Sequence, residues 1–237
     1  IDILKVQNIN DKINSSSLKI IDVPISFKDP FNINLRESSK YVIKSLNLAH
    51  SLAINKSCRA IINCPINKNL IKSSGKVGVT EFFASKCKVK NLSEVMLIHN
   101  KKFSVVPLTT HLDIKDVSKK ISSRLMIRKL DTLSKDFRKL FKFKPKIGVL
   151  GLNPHNSEFK KSSEEVRTIR PCVLKLKRKG FKIEGPLAAD TIFISKYKNY
   201  DVIVGMYHDQ VLAPFKTIFK FDAINITLGL NYLMKWK

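Results

Sequence analysis

Short apolar runs alternate along the chain with stretches in which apolar residues recur at helical spacing, the pattern of an α/β protein. The runs at 60–64, 94–98, 103–108, 146–152 and 201–206 predict strands. Val42, Leu46, Ala49 and Ala53 predict a helix over 38–55, and Ile114, Val117, Ile121 and Leu125 predict another over 114–125. Ser162 followed by Glu165 reads as a capping box that opens a helix running toward Gly180, kinked or restarted at Pro171. The first 35 residues are poorly patterned, with Ser15-Ser16-Ser17 as a loop, and the last five, from Leu233, have no clear period. There is no internal repeat and no low-complexity linker.

Composition narrows the class. The 237 residues allow one or two domains, and 43% hydrophobic with 27% charged residues fits a folded soluble chain rather than a disordered one. No apolar run approaches the roughly 18 residues that a membrane-spanning helix needs. Lys and Arg outnumber Asp and Glu by 44 to 19, a net +25 that would suit nucleic acid, an anionic membrane surface or a phosphorylated substrate. The lysines are dispersed, however, and the two densest clusters, 138–146 and 175–179, alternate with apolar residues as the wet faces of amphipathic elements do. No basic-aromatic stacking motif accompanies them, so neither a nucleic-acid nor a membrane partner is expected. Cys58, Cys64, Cys87 and Cys172 form no CxxC pair and read as reduced, mostly buried thiols of a cytoplasmic protein.

The candidate chemistry lies in histidines. Of five, three sit just past predicted strand ends: His111 closes VVPLTTH, His155 closes IGVLGLNPH and His208 closes VIVGMYHD. In open α/β sheets that edge collects ligand sites, and three imidazoles with an open position describe a catalytic metal site. Taken singly, each reads as a polar loop residue; together they favour metal. Asp113, Glu158 and Asp209 lie close in sequence and could orient the rings. His50 and His99 read as structural or solvated. The loop 75–80 could cradle phosphate through its N–H groups, but it matches no known fingerprint and alone is no more than a turn.

The strings Leu108-Thr109-Thr110-His111, Gly151-Leu152-Asn153-Pro154-His155, Gly185-Pro186-Leu187-Ala188-Ala189-Asp190-Thr191, Met206-Tyr207-His208-Asp209-Gln210 and Asn225-Ile226-Thr227-Leu228-Gly229-Leu230 occur in that order. Together they closely resemble the 4-hydroxythreonine-4-phosphate dehydrogenase family of pyridoxal 5'-phosphate biosynthesis, over roughly residues 40–233. The resemblance implies a two-domain α/β fold like that of isocitrate and isopropylmalate dehydrogenases. It implies a first domain of 1–76 joined by 218–237, and a second of 77–217 carrying the metal histidines and the dimer interface. It further implies a homodimer with active sites at the subunit interface.

Residue by residue, His111, His155 and His208 match the family's divalent-metal ligands (for Zn, Mg or Co), which are contributed across the dimer. Thr80, Lys216 and Asn225 match substrate-binding positions. Asp190 and Asp209 match acidic residues of the same pocket and, with Lys216, stand as its catalytic candidates. The implied reaction is NAD- or NADP-linked oxidation of 4-phosphooxy-L-threonine, followed by decarboxylation to 3-amino-2-oxopropyl phosphate.

Three departures bear on this. Val79 stands where the family has a substrate-contacting His, so weaker binding is expected. The family's opening glycine motif does not precede Ile1, and Met234 replaces a substrate-binding Arg. The chain therefore reads as truncated at both ends, with much of the cofactor site beyond Lys237. Two alternatives follow: a dehydrogenase for another phosphorylated hydroxy acid, such as a threonate or erythronate phosphate, or an inactive relative that binds only metal and phosphate ligand.

Overall fold

A computed structural model describes residues 2–8, 17–75, 78–87 and 93–236. The chain divides into two compact units, 1–88 with 231–234 and 89–230 with 235–237. The resemblance implies boundaries at 76/77 and 217/218 instead.

In the first unit β1 (Ile3–Lys5) and β2 (Leu18–Ile20) form a short parallel ribbon, within the stretch whose sequence showed no pattern. The expected loop at Ser15 and Ser16 lies outside the described residues, as do Lys76 and Val77 of the 75–80 loop. Helix α1 (Leu35–Ile54) starts earlier than its apolar spacing predicts, because Asn34 caps it by accepting the Arg36 N–H. Strand β3 (Ala60–Asn63) follows, and α2 (Val79–Lys86) buries Val79, Phe82, Phe83 and Ala84. His50 of α1 meets the hydroxyl of Tyr232 at 2.9 Å and stacks near Phe83, which makes it structural as expected. Burial, and secondarily Lys86, hold its imidazole below the usual histidine range.

The second unit is built on β4 (Val95–Asn100) and β5 (Phe103–Pro107), then α3 (Ile114–Lys120), α4 (Ser123–Phe141), β6 (Ile147–Leu150), α5 (Arg170–Arg178), β7 (Ile183–Leu187), α6 (Ala189–Ile192), β8 (Val202–Gly205), α7 (His208–Phe219) and β9 (Ile224–Leu228). Its strand order is β9-β4-β5-β8-β6-β7. Strand β4 runs antiparallel to both neighbours, whereas β5, β8, β6 and β7 are parallel. Every residue of β5, β6 and β8 is buried, as a sheet covered on both faces requires. Met96, Ile98, Phe103 and Val105 pack with Val211, Leu212 and Phe215 of α7. On the opposite face His99 lies against Phe141 of α4, their ring centres 4.5 Å apart, and bonds Ser104 at 2.9 Å. His99 is structural too.

Four local expectations need correction. The helix predicted over 114–125 is two: α3 ends at Lys120, Ile121 is extended, and Ser122 caps α4 by accepting the Leu125 N–H. The Ser162–Glu165 capping box does not form. Ser163 takes the Val166 N–H, and Glu165 turns inward to other donors. Residues Glu165–Ile169 form a π turn leading into Pro171, whose ring and missing N–H disfavour regular α geometry just upstream. The run 185–187, expected in a loop, belongs to β7. Leu233–Trp236, without a period in sequence, is a strand, β10, divided between the two units. Among the described residues no helix is long and apolar enough to cross a membrane.

Candidate active site

The C-terminal ends of β5, β8 and β6 lie side by side, with Pro107 opposite Gly205 and Val149 opposite Val204. Beyond β5 comes His111, beyond β6 His155, and directly after β8 His208, the first residue of α7. Three histidines separated by about a hundred residues of chain thus leave one edge of one sheet. Strand β7 is next in line beside β6, and Asp190 follows it in α6.

The turns beyond these strands are tied together. Thr109 reaches across to the Met206 carbonyl through its hydroxyl at 2.8 Å, and the Leu108 N–H donates to the Gly205 carbonyl. Gly151 donates to the Leu187 carbonyl at 2.9 Å. Glu165, fully buried, accepts the N–H groups of Leu152 and Asn153 at 2.8 Å each, and the Asn153 side-chain amide as well. Burial alone would raise that carboxyl, but the hydrogen bonds from Asn153 and Leu152 outweigh it and hold Glu165 below the usual carboxylate range. The loop so anchored is sharply bent. His155 through Phe159 all have left-handed backbone angles, φ from 47° to 56°, and His111 has φ 50°. Runs of this kind outside glycine persist only where the surroundings enforce them, and they concentrate at functional sites.

His155 is well exposed, its Nδ1 3.7 Å from Asp190. His208 is half-buried, its Nδ1 2.7 Å from Asp209. At His208 a carboxylate on Nδ1 leaves Nε2 as the free nitrogen, the arrangement in which a neighbouring acid orients a metal-binding imidazole, whereas Asp190 lies beyond hydrogen-bond distance of His155. The expected partner of His155 was Glu158; the carboxylate found beside its Nδ1 is that of Asp190, at 3.7 Å. Asp113 pairs with Lys115 at 3.6 Å.

Lys216 lies on α7 with its side chain exposed. Asn225 sits in β9 opposite Ile98, and among the described residues its buried Oδ1 has no hydrogen-bond partner. Thr80 is in the first unit, one residue into α2, next to buried Val79. The Met234 side chain lies outside what the structure describes. Among the described residues of a single chain, no group of three or more His, Cys, Asp and Glu is placed to hold a metal ion. The donors have the right chemistry and share one sheet edge, but one copy does not close the set. Sequence reasoning missed Glu165, read as a helix cap, and gave no role to Gln210 or Asn156. Gln210 stood inside a quoted motif; Glu165 carried only the capping-box signal, and Asn156 only its place directly after His155.

The family model described as pyridoxal phosphate biosynthetic protein PdxA matches residues 1–235. The chain belongs to the PdxA family. It is 34% identical, over 98% of its length, to the 4-hydroxythreonine-4-phosphate dehydrogenase of Sulfurihydrogenibium sp. (strain YO3AOP1), of which it covers 72%. Against the Aquifex aeolicus (strain VF5) enzyme of the same name identity is 38% over 83% of this chain and 61% of that one. The crystal structure of the Klebsiella pneumoniae 4-hydroxythreonine-4-phosphate dehydrogenase superposes with a TM-score of 0.85 at 24% identity, covering 99% of this chain and 74% of the other. The chain therefore spans about six to seven tenths of the length of these curated PdxA relatives. Its fold is the isocitrate/isopropylmalate dehydrogenase-like α/β fold of the family.

Proposed function

We propose that the protein oxidises the C3 hydroxyl of 4-phosphooxy-L-threonine with NAD or NADP, in the cytoplasmic synthesis of pyridoxal 5'-phosphate. Hydride leaves C3 for the nicotinamide and the hydroxyl proton passes to a base, giving 2-amino-3-oxo-4-phosphooxybutanoate. The bond from C2 to the carboxyl carbon then breaks, carbon dioxide leaves, and the electron pair moves toward the C3 carbonyl. Protonation at C2 gives 3-amino-2-oxopropyl phosphate. The observation that carries this reading is the convergence of His111, His155 and His208, each within a motif of the family, on the ends of three adjacent parallel strands.

His111, His155 and His208 would hold a divalent ion (Zn, Mg or Co), with Asp209 orienting His208 and Asp190 beside His155. Such an ion supplies Lewis acidity at the substrate's oxygen, and the nicotinamide supplies the hydride acceptor. Lys216 would neutralise substrate charge from α7, and Asn225 and Thr80 are the polar positions that the resemblance assigns to substrate binding. In this reading the active protein is a homodimer in which the second copy completes the ligand set.

A second reading has a specific basis. Val79, buried at the start of α2, replaces the imidazole that family members direct at substrate. A site lacking that donor would discriminate less against a phosphorylated threonate or erythronate. Comparing kcat/KM for 4-phosphooxy-L-threonine and for 4-phosphoerythronate separates the two. The first reading requires the amino substrate to be turned over at least about tenfold more efficiently, and the reverse order would replace it with the second.

A further inference from the structure

The second-unit site contains one side chain that spans two of its turns. Gln210, in the first turn of α7, accepts the Met206 N–H on Oε1 at 2.6 Å. The same amide donates from Nε2 to the Gly151 carbonyl at 2.7 Å. Met206 is two residues before His208, and Gly151 is four before His155. One planar group therefore fixes the turn that delivers each histidine, using a donor and an acceptor whose directions are set by the amide itself.

The backbone is shaped around this contact. A Cβ on Gly205 would come within 2.9 Å of Gln210 Oε1 and 2.5 Å of Val211 Cγ1, so only glycine leaves room for the amide at the end of β8. At the end of β6 a Cβ on Gly151 would meet the Asn156 Oδ1 at 2.0 Å, so glycine there makes room for Asn156 rather than for the amide. No other uncharged side chain of similar length can serve both ends. Glutamate would set a second oxygen against the Gly151 carbonyl, and methionine would leave the Met206 N–H and that carbonyl without partners.

We propose that Gln210 is a positioning residue for metal binding: its amide locks the His155 and His208 turns into one frame, so that both imidazoles are presented in fixed orientation to a divalent cation. This rests on the reading that these histidines hold the metal. The frame lies within one chain, so it acts the same way whichever copy supplies the remaining ligand.

The test uses the whole protein, stripped of metal by chelation, as wild type, Gln210→Met and Gln210→Glu. Co2+ is titrated in and followed by its visible absorption, at a temperature where near-UV circular dichroism shows each variant folded. Wild type should bind. Both variants should bind at least about tenfold more weakly and show an altered ligand-field spectrum, the size of effect that groups orienting a ligand have elsewhere. Variants that match the wild-type affinity and spectrum would overturn the inference. No Co2+ binding by wild type would instead overturn the metal reading itself. Should both variants fail to fold, amide exchange of wild type decides: the Met206 N–H must exchange far more slowly than the Tyr207 N–H, and equal rates would refute the lock.

Discussion

The carboxylate of Glu165 receives both the backbone N–H and the side-chain amide of Asn153, two residues before His155. A buried charge is thus satisfied by the loop it holds, and the loop is held by a charge with nowhere else to go. Glu165→Gln keeps the shape but sets an NH2 group against N–H donors. It should cost about 2 kcal/mol, measured by urea unfolding, whereas Glu164→Gln, half-buried and with a single bond to Asn153, should cost under about 1 kcal/mol. The pH dependence has a defined sign. The Glu165 carboxyl is lowered in the folded protein, so its stabilisation is present above pH 4.5 and is lost as pH falls further; the glutamine variant lacks that part of the acid dependence.

Gly185 has φ 147°, and a Cβ there would lie 2.4 Å from the Val149 carbonyl oxygen in the neighbouring strand. Gly180 also has positive φ, at 82°, but open space around it. Gly180→Ala should therefore cost only the left-handed strain, about 1–2 kcal/mol. Gly185→Ala must also push β7 from β6 and should cost more, about 3 kcal/mol or above. Equal losses in thermal or urea unfolding would show that the two strands are not so close.

Tyr200 donates to Glu184 at 2.6 Å, and burial together with that carboxylate pushes its phenol up to about 12. A raised folded value means stabilisation that is complete below pH 10.0 and is lost as pH rises through about 12. Tyr200→Phe should be less stable than wild type near neutrality, with the gap closing at high pH. In the first unit His50 has the opposite sign. Its folded value is lowered, so its share of stability is present above pH 6.5 and lost as pH falls below it. His50→Asn should flatten that part of a circular-dichroism unfolding profile.

Val79 is 6% exposed, packed with the apolar side of α2. Val79→His, which would place there the imidazole that the resemblance implies, would force a larger polar ring into that packing. The expected loss is about 1–3 kcal/mol in urea unfolding, with any gain in substrate affinity read separately from KM. An unchanged midpoint would mean the position has room for the ring.

The central strands could be read from sequence because a sheet buried on both faces demands unbroken apolar runs, and 103–108, 146–152 and 201–206 supply them. The edge strand β7 could not, since Gly185 and Pro186 mimic a loop, and β10 carries no period at all. The histidine edge was legible because each ring closes an apolar run. That the runs are neighbours is a matter of strand order, which no local pattern contains. Ser162–Glu165 misled for a related reason: a capping box and a buried carboxylate that anchors a distant loop look the same in sequence. The capping reading lost because the donors of Leu152 and Asn153 lie within reach only once β6 and the π turn are packed together.

The most direct test of the account is the formation of NADH or NADPH when 4-phosphooxy-L-threonine is added to the purified protein, before and after exhaustive chelation. Substrate-dependent reduction that stops on chelation and returns with Zn2+, Mg2+ or Co2+ is the predicted result. A rate indifferent to the chelator, or no reduction with any of the three ions, would contradict it.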